Sequence, residues 1–156
     1  MSRTLALLLI CSSTLIAQKY MGPVPEKPDL PYLVHADKLV ATEAGEAKNE
    51  NRKDDVVAVV TGASSPAETP LASPIFILRA DKINPDQLEI YKLESRSGRR
   101  EVVLSHKKKP VAKPVILTVF KVGDDLYKLE VNQALPNGEY SITPRESDLV
   151  FCFRVF

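Results

Sequence analysis

The groups in this sequence that could do chemistry are few. His35-Ala36-Asp37 sets an imidazole and a carboxylate two residues apart. On one extended strand that spacing turns both side chains to the same side, which is how a zinc site begins or a general base is oriented. A catalytic zinc takes three protein ligands, and the nearest other acid is Glu43; neither H-E-x-x-H nor C-x-x-C occurs. The expectation for His35 and Asp37 is therefore a solvated strand pair. A small hydrolase whose groups meet only in space is the competing reading. His106 runs into Lys107-Lys108-Lys109, whose charge opposes a bound cation. Gly62-Ala63-Ser64-Ser65-Pro66 lacks the second glycine and the following helix of a nucleophile elbow. Asp54-Asp55 and Asp124-Asp125 supply too few oxygens for a calcium cage of six to eight. The glycines stand singly, as turn glycines do, and make no phosphate cradle. No catalytic, cofactor-binding or metal residue is assigned, and no cofactor is expected.

The least ordinary feature is a pair of basic clusters. Arg96, Arg99 and Arg100 surround Ser97-Gly98, and Lys107, Lys108, Lys109 and Lys113 follow the next apolar run. The strand between them would be about 20 Å long, so the clusters belong at its two ends. Solubilising turns and guarding a sheet edge is their plain role. Their functional role would be docking to an anionic envelope polymer or an acidic protein partner. No aromatic residue interleaves them, which argues against nucleic acid. The chain has no Trp, which argues against a sugar-binding face.

These groups are delivered by a chain that reads as exported. Arg3 precedes an unbroken apolar run from Leu5 to Cys11, and Leu15-Ile16-Ala17 offers a cleavage edge before Gln18. That is the layout of a secretory signal peptide over residues 1–17. A spanning helix wants roughly 20 apolar residues, so a retained anchor is the second choice, and membrane contact is expected only in transit. Ile10 before Cys11 is a poor match to a lipoprotein cut. Cleavage removes Arg3 from 21 Lys+Arg and nothing from 20 Asp+Glu, leaving a formally neutral chain. No global field then draws it to nucleic acid or an anionic membrane. Of two cysteines only Cys152 remains. It cannot form an internal disulfide, and a small buried thiol is the expected state. The location expected is the periplasm or the extracellular space.

Residues 18–31 contain Pro23, Pro25, Pro28 and Pro31 and read as an extended, semi-rigid leader. Residues 32–156 read as short β-type runs divided by turn chemistry: 32–42, 56–61, 74–80, 88–95, 100–105, 115–122, 126–131, 139–143 and 149–156. Residues 43–55 read as a charged loop with one helical turn. Residues 74–80 and 115–122 are apolar on both faces, which predicts covered, central strands. Residues 126–131 alternate, which predicts one solvated face. The fold class expected is all-β, a two-sheet antiparallel sandwich of eight or nine strands.

Leu135-Pro136-Asn137-Gly138-Glu139-Tyr140 resembles the turn that leads into the penultimate strand of immunoglobulin-like and fibronectin type III-like domains. The resemblance implies that Tyr140 folds its hydroxyl back onto nearby backbone, with Leu135 beneath it and Gly138 allowing the turn. It covers six residues and implies architecture alone. More generally the chain resembles small exported bacterial proteins of uncharacterised families. The function expected is a non-catalytic module of the cell envelope or extracellular space that works by protein interaction or in a structural role, through strand edges or loops.

Overall fold

The computed structural model describes residues 20–156, so the signal peptide expected over 1–17 lies outside the described residues. Fourteen strands follow one another: β1 (Tyr32–His35), β2 (Lys38–Ala41), β3 (Glu43–Glu46), β4 (Lys48–Arg52), β5 (Asp55–Thr61), β6 (Glu68–Thr69), β7 (Ile75–Arg79), β8 (Leu88–Arg96), β9 (Arg99–His106), β10 (Lys109–Pro110), β11 (Val115–Lys121), β12 (Leu126–Val131), β13 (Gly138–Pro144) and β14 (Leu149–Val155). Among the described residues a single 3₁₀ turn, Pro85–Gln87, starts at Asn84, whose side chain accepts from the Asp86 N–H. The chain is all-β and antiparallel except for the short parallel contact of β6 with β14.

The all-β, sandwich-like arrangement expected is present, but with fourteen strands among the described residues in place of eight or nine. One sheet runs β2-β1-β7-β12-β11 and faces a second built from β8, β13, β14 and β3. Period-two alternation fills the space between them. Leu33, Phe76, Leu78, Leu129 and Val131 from the first sheet meet Ile90, Tyr140, Ile142, Phe151, Phe153 and Val155 from the second. Phe153 packs edge-on to Phe76 at 5.0 Å and stacks on Tyr140 at 5.5 Å. Each such buried side chain is worth roughly 1.5–3 kcal/mol over its exposed state, which suits a fold whose described residues hold Cys152 as a free thiol.

The second sheet does not end at its edges. β8 is long enough to change partners: Leu88 to Leu93 pair with β13, and Glu94 to Arg96 pair with β9. β9 pairs with β5 and β5 with β4. β4 joins β3 through Ala47 alone, whose N–H donates to Asp148 O at 2.7 Å, and β3 pairs with β14. The pairing therefore closes on itself as (β3-β4)-β5-β9-β8-β13-β14, a six-strand barrel leaning on the flat sheet. Closure removes the edges that β3 and β9 would otherwise expose.

Several sequence expectations are corrected. Residues 43–55 form β3 and β4, not a loop. Their charges hide the pattern because only every second side chain enters the barrel. Residues 32–42 are a hairpin, not one strand: β1 turns into β2 at Ala36, φ 55°, with His35 opposite Lys38. β7 is central and buried on both faces, as its sequence suggests. β11 is not: Ile116 and Phe120 are exposed, and it borders the flat sheet. An apolar run marks a strand but not its neighbours. The proline-rich segment is partly docked across the outer face of the flat sheet. Pro25 and Pro31 are buried, Arg79 Nη2 donates to Glu26 O at 2.7 Å, and the Lys27 N–H donates to Tyr32 Oη.

Candidate functional site

Two places in this fold are suited to binding: the barrel lumen and the free edge of β11. The lumen is built in layers. At its closed end Arg100, with no exposed side-chain surface, donates from Nη1 and Nη2 to Glu43 at 2.7 and 3.0 Å. Its Nε donates to Gly62 O and Nη2 to Thr61 O. Glu139 lies 3.7 Å from Nη1 and accepts from Ser64 Oγ and the Ser65 N–H at 2.6 and 2.9 Å. Burial alone would raise the Glu43 carboxyl. The hydrogen bonds and charge of Arg100 outweigh it and hold Glu43 below its ordinary range. Above this layer lie Val60, Leu93, Val150 and Cys152. Burial pushes the Cys152 thiol up to about 12, against a smaller downward pull from Arg100.

Above Cys152 the lumen opens into a cavity of about 560 Å³. It exists because inward positions carry small side chains, Ala47, Ala58 and Ser141 among them, while Val102, Leu104 and Val150 line its walls. At its mouth the Tyr91 hydroxyl donates to Glu89 Oε2 at 2.8 Å, and Arg145 Nε donates to Glu89 Oε1 at 2.7 Å. Burial, then the Glu89 hydrogen bond and charge, push the Tyr91 phenol up to about 12, so it stays a donor. Across the mouth Asn49 Nδ2 donates to Asp148 Oδ1 at 3.1 Å.

The β11 edge has a different chemistry. β11 pairs with β8 only at Val115 and Ile116, then keeps β12 alone from Leu117 to Lys121. Its other side carries no strand among the described residues. Ile116 and Phe120 are 53% and 41% exposed beside it. Lys128 Nζ lies 4.7 Å over the Phe120 ring.

The basic residues singled out in the sequence are divided by the fold. Arg100 is the correction: the strand alternation turns it into the barrel, where Glu43 neutralises it, so it offers nothing to an anionic partner. Arg99 binds Glu50 at 3.1 Å and lies 3.7 Å from Glu101, and Arg96 lies 3.9 Å from Glu101. Lys107, Lys108 and Lys109 stand exposed at the far end of β9. His106 Nδ1 is 2.6 Å from Asp55 Oδ1. His35 and Asp37 flank an exposed hairpin tip and gather no third group. Ser65 Oγ donates to Cys152 O at 3.1 Å, a structural bond. Among the described residues no group of three His, Cys, Asp or Glu could hold a metal. Tyr140 does fold back as its motif implies, donating to Pro136 O, with Leu135 in the same core. Gly138, φ 152°, lies where a Cβ would come within 3.3 Å of Lys92.

Sequence reasoning missed Glu89, Tyr91 and Arg145. Glu89 and Tyr91 share a strand face by alternation, but Arg145 reaches them from 56 residues away. No family model, curated protein or solved structure matches the chain.

Proposed function

We propose that this chain is an exported, non-catalytic interaction module of the periplasm or extracellular space, and that it takes an extended protein segment as an added strand along β11. The observation that carries this reading is the free stretch of β11 from Leu117 to Lys121, flanked by exposed Ile116 and Phe120. Unpaired N–H and C=O groups in a row give affinity to any extended chain, and apolar neighbours give it selectivity. The arginine half of the basic surface is already paired with Glu43, Glu50 and Glu101. That weighs against an anionic polymer and for a protein partner. The Tyr140 corner supports an architectural kinship with immunoglobulin-like and fibronectin type III-like sandwiches, with the closed barrel as this chain's own elaboration.

The test is recovery of the protein from its native compartment with whatever stays bound, followed by mass spectrometry and N-terminal sequencing. The expected protein starts near Gln18 and retains a partner that is lost from I116K/F120E without a fall in melting temperature. Uncleaved protein confined to the cytoplasm, or a partner indifferent to the double substitution, overturns the reading.

A further inference from the structure

The barrel lumen plays no part in the edge pairing proposed above, and its features point to a second, independent site. We propose that it binds a small apolar molecule carrying one protonated amine, body inward and amine at the mouth. A ligand pocket typically measures about 300–1,000 Å³, with apolar walls and a few polar groups converging at one end. The lumen holds about 560 Å³ between Ala58, Val102, Leu104 and Val150. Nothing at its closed end asks for a polar ligand atom. The Arg100 cluster satisfies itself, and no buried side-chain nitrogen or oxygen among the described residues lacks a hydrogen-bond partner. Any occupant must therefore present apolar surface to the depth of the lumen.

The mouth decides the head group. Glu89, Glu146 and Asp148 line it against one cation, Arg145. Arg145 is committed to Glu89 through Nε. Among the described residues the Asp148 carboxylate is met only by the neutral Asn49 amide, and neither Glu146 nor Asp148 is in an ion pair. Two carboxylates are thus left unbalanced at the rim of a low-dielectric cavity. There an ammonium is attracted and a carboxylate repelled.

The experiment is titration of the purified protein with n-octylamine, n-octanol and n-octanoate, read by ¹H–¹⁵N NMR shifts. The expected result is saturable shifts at the amides of Ala58, Val60, Leu93, Val102 and Val150. Octylamine should bind about fivefold tighter than octanol, the size of one ion pair near 4 Å in water, and octanoate should bind weakest. E146K/D148K, confined to the exposed rim, should reverse the order of amine and carboxylate without altering the fold. A58F should abolish the lumen shifts by filling the cavity. Shifts absent from the lumen amides, octanoate binding as tightly as octylamine, or an order unchanged in E146K/D148K would overturn the proposal. None of these results bears on partner capture by β11, so the two readings fail separately.

Discussion

Arg100 shows how far a residue's role depends on what surrounds it. In sequence it belongs to an exposed basic turn. In the fold it joins β9 to β3 and to the carbonyls of Thr61 and Gly62. Replacing it with Met leaves Glu43 and Glu139 without their cation, and breaking a buried pair from one side costs about 3–5 kcal/mol. Urea denaturation of R100M should show a loss of that order. R100K should recover little, because an ammonium cannot reproduce the fork that meets Glu43 in two places. The same pair sets an acid limit. The Glu43 carboxyl is lower in the folded chain than its ordinary value of 4.5. Its contribution is whole above about pH 4.5 and is lost as pH falls through the folded value. Melting temperature should therefore drop below that pH, and less steeply in E43Q. Cys152, fully buried with its thiol pushed up to about 12, should be silent to a thiol reagent in the native protein and react once urea exposes it.

Among the elements, the β3-β4 strand matters most, because it passes from the sandwich sheet to the barrel's outer wall through one residue. Ala47 supplies the N–H that keeps the passage bonded to Asp148 O. A47P removes that donor and opens the barrel at the seam. The expected outcome is faster amide exchange along β4 and β5, with the Phe76–Phe153 core still protected; uniform exchange across both would show that the seam carries no special weight. β11 was legible as a strand and misread as a central one for a physical reason. Alternation reports which faces an element buries locally, whereas edge or centre is decided by strands far away in sequence.

On the scale of the whole molecule, the segment before β1 is part of the fold. Asp29, φ 56°, accepts the N–H groups of Asp81, Lys82 and Ile83 at 2.9–3.0 Å and donates its own N–H to Arg79 O. Burial acts to raise its carboxyl, but these backbone bonds, helped by the Lys82 charge, hold it below the ordinary range. D29A leaves three backbone donors to find water and frees the proline-rich segment from the flat sheet. A loss of about 1–3 kcal/mol is expected, together with new proteolytic cleavage between residues 20 and 31. Stability unchanged from the parent chain would show that the segment only rests on the surface.

Composition, turn chemistry and period-two alternation determined the β-class and the two-sheet antiparallel expectation, and the resemblance carried by Leu135 to Tyr140 implied the Tyr140 corner. The signals behind these readings are local, as the Tyr140 bond to Pro136 four residues away is, although the core they announce joins residues as distant as Phe76 and Phe153. Tertiary structure alone decided the closure of six strands into a barrel, the burial of Arg100, the Tyr91–Glu89–Arg145 mouth and the open side of β11. Each needs partners brought together from dozens of residues apart. A charged strand such as β3 or β4 shows its inward face only when another sheet supplies the inside.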